Sequence, residues 1–240
     1  MRRTYKLKIM DYNYLNLHIP LDSGVYWPKE DTDLCIEVLD KWITTFKLNK
    51  TIQSKIHILD MGTGPGTLIL YLAMRFLNDS QYENNKCLIG IDINPKAIYL
   101  AKKNAKNNKL EDSCTFLLGS LLTPLRKHSI KTHFEVILFN APYLPDEEDI
   151  IDESNSLPLD SSWKGGKKGD EITLEFLQQI HNYQNRDKPY QLFLTSSSQV
   201  NQESLTQQFS KMNLKIKKIY KKHIFFEDII LYHLIYNPLL

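Results

Sequence analysis

Between residues 56 and 140, short apolar runs alternate with segments whose apolar residues recur at helical spacing. Ile56–Met61 predicts a strand, 68–76 a helix and 87–93 a second strand. Asn94-Pro95 then opens a helix over 96–107, with Asn as N-cap and Pro in the first turn. Ile98, Leu100, Ala101 and Ala105 form its apolar side amid lysines. Runs at 115–118 and 134–139 read as strands three and four. Further on, Glu171–Tyr183 carries Ile172, Leu174, Phe176, Leu177 and Ile180 on one helical face, 191–195 reads as a fifth strand, and Gln202–Lys211 as a helix. Two closing strands are expected at 215–220 and 228–236. Upstream, a helix over 31–42 would bury Leu34, Cys35, Val38, Leu39 and Trp42, while Tyr12, Tyr14, Leu15, Leu17 and Ile19 suggest a strand or hairpin at the core edge. Such alternation predicts an α/β fold with a mainly parallel sheet covered on both faces. No internal repeat or Gly/Ser linker divides it, so the expected organisation is an N-terminal extension over 1–24 and one domain over 25–240.

Composition changes this picture little. A chain of 240 residues that is 42% hydrophobic and 24% charged can bury a sizeable core. The net charge of +2 gives no global reason to expect a polyanion or a membrane as partner. Cys35, Cys87 and Cys114 are widely spaced and form no Cys-x-x-Cys pair, which predicts reduced, buried thiols and no metal site. The seven histidines form no ligand pattern either. No uncharged apolar run approaches the roughly 18–20 residues that span a bilayer, and the charged N-terminus lacks an apolar h-region. The expected location is cytoplasmic.

Candidate chemistry sits in the turns after the strands, where open α/β sheets hold their ligands. After strand one the chain reads Asp60-Met-Gly62-Thr-Gly64-Pro-Gly66. Glycines there let backbone approach a ligand, although a Gly-rich β–α turn alone is common. The spacing is not the Gly-x-Gly-x-x-Gly of dinucleotide sites. Asp92 closes strand two, where a carboxylate can accept from both ribose hydroxyls. Together these suit an adenosine ligand without pyrophosphate, and S-adenosylmethionine is the expected cofactor, with Asp60 near its ammonium group.

Three further segments carry a resemblance. VYWPKEDT at 25–32, NAPY at 140–143 and WKGGKKG at 163–169 resemble, in order, the "VYxPxEDT", "NPPY" and "WxGGxxG" motifs of HemK-like glutamine methyltransferases. These are class I S-adenosylmethionine-dependent methyltransferases, and the match is to the archaeal and eukaryotic branch that modifies translation release factors. It runs from about Val25 to Tyr236. The resemblance implies a Rossmann-like seven-stranded sheet with helices on both faces. It implies a cofactor site of Tyr26, Thr32, Asp60, Gly62, Gly64, Gly66, Asp92, Ser120, Leu121 and Asn140. By the same token Asn140, Ala141, Pro142 and Tyr143 are catalytic, and Tyr143, Trp163, Gly165 and Gly166 meet the substrate. Two positions depart from the family: Ala141 replaces Pro, and Gly119-Ser120 stands where an acidic residue commonly recognises the adenine amino group. The branch commonly works with a small zinc-binding activator subunit, for which the edge of strand three is the natural docking place.

A primary amide is a poor nucleophile because its nitrogen lone pair is delocalised. If the Asn140 side-chain oxygen and the Ala141 carbonyl each accept one N–H, the nitrogen is held in one orientation and its developing charge is stabilised. Pro142 keeps residue 141 extended, and Tyr143 can lie against the flat face of the amide. The same geometry serves the exocyclic amine of adenine or cytosine, so an RNA or DNA amino-group methyltransferase stays open, as does a non-catalytic cofactor-binding subunit. Asp146, Glu147, Glu148, Asp149, Asp152, Glu153 and Asp160 favour a basic protein over phosphates beside the catalytic turn. The lysines between 211 and 222 fit a lysine-fringed sheet edge better than an RNA site.

Overall fold

The structure, a computed structural model, describes residues 11–14, 17–20, 24–49, 56–77, 86–144 and 165–239. It begins with an antiparallel hairpin, β1 (Asp11–Tyr14) and β2 (Leu17–Pro20). There follow α1 (Glu30–Asn49), β3 (Ile56–Met61), α2 (Thr67–Leu77), β4 (Lys86–Asp92), α3 (Pro95–Asn107) and β5 (Cys114–Leu118). The second half contributes α4 (Thr123–Lys127), β6 (Val136–Phe139), α5 (Glu171–Tyr183), β7 (Tyr190–Ser197), α6 (Gln202–Lys211), β8 (Leu214–Ile224) and β9 (Glu227–Tyr236). The helix expected over 31–42 continues to Asn49, because Ile43 extends the buried stripe and the Phe46 ring packs 4.8 Å from Trp42. Helix α4 was not legible in the pattern; at five residues it is too short to display a period.

Seven strands form one sheet in the order β5-β4-β3-β6-β7-β9-β8. The pairs from β5 to β7 are parallel, while β9 runs antiparallel to β7 and β8 antiparallel to β9. From β3 the chain steps outward through β4 and β5, then returns to lay β6 and β7 on the other side of β3. Strand order therefore reverses between β3 and β6. The crevice beyond their carboxyl ends is where such a sheet holds a ligand.

Burial on both faces explains why these strands read as nearly continuous apolar runs. Ile58 of β3 and Val136 and Leu138 of β6 join the cluster under α1, α2 and α3. Leu59, Met61, Ile137 and Phe139, one position out of phase, join the cluster under α5 and α6 with Phe176, Leu177 and Phe209. Each large apolar side chain so buried contributes roughly 1.5–3 kcal/mol. Asn94 caps α3 as expected, its side chain accepting from the Lys96 N–H at 2.9 Å. The N-terminal hairpin belongs to the same core: Leu17 and Ile19 are buried in it, and Asn108 grips the His18 N–H (2.9 Å) and carbonyl (2.7 Å).

Strand β8 is the outer edge, with Lys215, Lys217, Lys218 and Lys221 exposed along it, which agrees with a lysine-fringed edge. A register shift between Ile216 and Lys218 marks a bulge, so Ile216 and Ile219 face the same side despite their odd spacing. Cys35 and Cys114 are buried and Cys87 is half-buried, all free. Among the described residues no helix is long and apolar enough to cross a membrane.

Candidate active site

A cavity of about 880 Å³ lies at the β3–β6 reversal. The turn after β3 forms its floor. Gly62 and Gly64 take φ of +64° and +54°, a left-handed backbone that glycine adopts without strain. The Gly64 N–H donates to Asp92 Oδ2 at 2.8 Å, and the Asn94 N–H donates to Oδ1 at 2.8 Å. Asp92 is thus held at the end of β4 by two backbone donors, with further lone pairs facing the cavity it lines. Burial raises its pKa, opposed by the Asn94 and Gly64 N–H groups. Asp60, 1% exposed, accepts from the Thr63 hydroxyl at 2.6 Å. Burial pushes its carboxyl up to about 7, with Asp92 adding to the rise and Thr63 opposing it.

Tyr26, Thr32, Ser120 and Leu121 also line the cavity, as do Asn140 through Tyr143. Gly66 does not. At φ +86° a Cβ there would lie 3.2 Å from Leu70 and 3.3 Å from Ala101, so this glycine lets α2 start close against α3. The 24–29 segment is tied over the start of α3, since Asn94 Nδ2 donates to the Gly24 carbonyl at 2.8 Å and Val25 packs on Ala97 and Leu100.

Asn140 lies just beyond β6 with both ends of its amide committed. Its Nδ2 donates to Asp31 Oδ2 at 3.0 Å, and its Oδ1 accepts from the Thr195 hydroxyl at 2.8 Å. A carboxylate can only accept, so Asp31 fixes which end of the amide is nitrogen. Asp31 is 4% exposed in the first turn of α1, where the helix N-terminus favours negative charge. Its Oδ2 also accepts from the Tyr26 hydroxyl at 2.8 Å, and its Oδ1 from the Thr32 N–H at 2.6 Å. Tyr143 is half-buried; burial, then the Asp31 and Glu227 carboxylates, hold its hydroxyl firmly protonated.

Gly165 abuts this turn: its N–H donates to the Leu144 carbonyl at 2.8 Å. A Cβ there would fall 2.3 Å from the Gly169 carbonyl oxygen and 2.7 Å from that of Pro142. Gly166 at φ +99° packs against the Glu171 carboxylate. Trp163 and the acidic run 146–160 lie outside the described residues.

Three polar side chains escaped sequence reasoning. Asp31 stands inside the 25–32 motif, but nothing local shows that it reaches Asn140. Thr195 stands near the carboxyl end of β7, next to Ser196 and Ser197, and nothing local pairs it with Asn140. Thr67, in the first turn of α2, lines the cavity with a buried hydroxyl that has no hydrogen-bond partner. That orphan hydroxyl, the left-handed glycines and the Asp92 carboxylate suit a ligand bearing a carboxylate, an ammonium and a ribose, as S-adenosylmethionine does. No cluster of His, Cys, Asp or Glu among the described residues could hold a metal ion.

Comparison with known proteins agrees. Residues 52–224 match the family described as "Methyltransferase domain". A protein of Methanocaldococcus jannaschii, provisionally named a protein N5-glutamine methyltransferase, is 31% identical over 75% of this chain and 77% of its own length. The release factor glutamine methyltransferase of Dictyoglomus turgidum is 30% identical over 55% of this chain, a match spanning 41% of that protein. The E. cuniculi Mtq2-Trm112 complex, described as responsible for methylation of the eRF1 translation termination factor, superposes with a TM-score of 0.54 at 18% identity, covering 88% of this chain and 98% of the other. At that identity the likeness establishes the fold. The chain belongs to the methyltransferase domain family, as a HemK-like, S-adenosylmethionine-dependent N-methyltransferase.

Proposed function

We propose that this enzyme methylates the side-chain amide of the glutamine in the Gly-Gly-Gln motif of a class-1 translation release factor. The observation that carries the reading is the Asn140 amide, locked between Asp31 and Thr195 at the edge of the cavity. With Nδ2 turned to Asp31, the oxygen keeps a second lone pair beside its bond from Thr195, and that lone pair is left to receive a substrate N–H. The Ala141 carbonyl, in a backbone kept extended by Pro142, takes the second N–H of the same nitrogen. Two acceptors on one amide nitrogen fix its plane and raise the electron density that its carbonyl withdraws. Tyr143, neutral and half-buried, supports the flat face. The buried Asp31 carboxylate favours positive charge developing on the nitrogen, so no general base is needed before methyl transfer, and the excess proton leaves afterwards to water.

S-adenosylmethionine supplies the electrophilic methyl when bound. In this reading Asp92 receives the ribose hydroxyls, Ser120 and Leu121 meet the adenine, and Thr67 and Asp60 meet the carboxylate and ammonium ends. Gly62 and Gly64 let the backbone come close. Gly165 and Gly166 carry the substrate-facing loop against the Pro142 carbonyl. A partner of the small zinc-binding activator kind would pair with the edge of β5, where Leu118 (54%), Ile93 (68%) and Tyr99 (67%) are exposed together at one flank of the sheet.

The test is transfer of labelled methyl to a purified release factor, with and without candidate activator subunits, followed by mapping of the modified residue. Label on the glutamine amide supports the reading. Label from whole-cell extract that resists protease and is lost with nuclease overturns it in favour of a nucleic-acid amine.

A further inference from the structure

The turn joining β8 to β9 is Phe225-Phe226, closed by the Ile224–Glu227 pair. Both rings stand in solvent, at 85% and 98% exposure. Phe225 also takes φ +49°, at a turn position where glycine or asparagine is the usual choice. Sequence and backbone therefore work against stability here, and residues kept in such conformations cluster at functional sites. Apolar side chains this exposed on a well-paired hairpin are surplus to the fold: β8 and β9 are already held by their ladder, and nothing in the core requires either ring.

Topology places the tip. Because β9 runs antiparallel to β7, the turn comes out at the end of the sheet that carries the cavity, and the Ser198 N–H and hydroxyl fasten it there through the Asp228 carbonyl and N–H, both at 2.9 Å. Phe225 and Glu227 line the cavity mouth. In the order β5-β4-β3-β6-β7-β9-β8, the residues that suit the cofactor follow β5, β4 and β3, and Asn140 follows β6. The hairpin lies on the opposite side of Asn140. A substrate that approaches Asn140 along the sheet from the side away from the cofactor comes past this hairpin tip.

We infer that Phe225 and Phe226 form the docking element for the methyl-accepting protein, seating in an apolar depression on its surface beside the loop that offers the amide. This rests on the proposed protein substrate. Aromatic side chains are the residues that concentrate binding energy in protein interfaces. The flanking charge argues for protein over RNA. The cavity that a phosphate backbone would have to enter is lined by the acidic residues Glu30, Asp31, Asp60, Asp92, Glu175 and Glu227. Lys29 and Lys96 line the same cavity but are outnumbered by its carboxylates, and the lysines of the hairpin itself, Lys221 and Lys222, sit roughly 10 Å or more down the strand at about 3.3 Å per residue.

The test compares wild type with Phe225→Gly/Phe226→Ser on an intact release factor and on a short peptide bearing its Gly-Gly-Gln segment. Glycine suits φ +49°, so the variant is expected to melt no lower than wild type; Phe226→Tyr, which keeps the ring, is the second variant. The inference predicts KM for the intact factor raised at least about tenfold, with kcat at saturation within about twofold, cofactor affinity unchanged and the peptide's KM unchanged; Phe226→Tyr stays near wild type. An unchanged KM for the intact factor overturns it. Loss of single-stranded RNA binding in the double variant, with that KM unchanged, overturns it in favour of an RNA contact. If wild type methylates no release factor, the functional reading fails first and this inference falls with it; normal wild-type turnover with an indifferent variant sinks the inference alone.

Discussion

The orientation of Asn140 offers the sharpest test of the proposed chemistry. Asp31 fixes the sense of the amide through a charge-assisted hydrogen bond at 3.0 Å, and Thr195 steadies the oxygen at 2.8 Å. Thr195→Val keeps the shape and removes only the donor. A neutral hydrogen bond contributes about 1 kcal/mol net, and tenfold in rate corresponds to about 1.4 kcal/mol. The expected loss in kcat is therefore about fivefold. Asp31→Asn substitutes a group that donates as well as accepts, so the amide of residue 140 can turn over and present its NH₂ to the substrate. A hydrogen bond to a charged group is worth about 1.5–3 kcal/mol, which predicts a loss of roughly 10- to 100-fold. Asn140→Ala deletes the acceptor itself and should cost about 100-fold or more, as for one preorganised polar group. Cofactor affinity should stay nearly constant for Thr195→Val and Asn140→Ala. Single-turnover methyl transfer at saturating substrate, with calorimetry of cofactor binding, measures both quantities. If Thr195→Val and Asp31→Asn each transfer within twofold of wild type, the clamp has no part in catalysis and the proposed mechanism is wrong.

Other outcomes follow from the cavity. Asp92→Ala should weaken S-adenosylmethionine binding by about 1–3 kcal/mol, since buried hydrogen-bonding groups are left unpaired; equal dissociation constants by calorimetry would remove Asp92 from the ribose site. Asp60, with its pKa raised to about 7, is protonated in the free enzyme below that pH, and a cationic ligand favours its carboxylate. Binding must then expel a proton as pH falls through 7, so affinity near pH 6 should be roughly tenfold weaker than near pH 8. Asp60→Asn should flatten that profile, and a slope that survives it points to another group. Gly165→Ala puts a methyl 2.3 Å from the Gly169 oxygen and 2.7 Å from the Pro142 oxygen, so the two turns must separate. Turnover should drop while cofactor affinity holds, and an alanine variant with normal turnover would show the loop to be adaptable there.

The amino-acid order by itself determined most elements, because strand and helix periods, the Asn94-Pro95 cap and glycine-rich turns are local signals that need no partner. It also marked two walls of the cavity, since Asp60–Gly64 and Asn140–Tyr143 each close a buried strand with residues a strand does not want. Glycine at 66 looked like part of the same site, and only packing against Ala101 separated it as a structural residue. Strand order was beyond the sequence: whether β6 returns beside β3 or continues outward depends on which faces must be covered by which helices. The Asp31–Asn140–Thr195 triad was equally hidden, for its members stand 109 and 55 positions apart along the chain. A hydrogen bond is chosen by distance and direction in space, and polar residues in a sequence carry no label for the partner that the folded sheet will bring within 3 Å. The bulge in β8 and the placing of Phe225 at the cavity are of the same kind: the ladder against β9, itself set by β7, decides which way a local turn points.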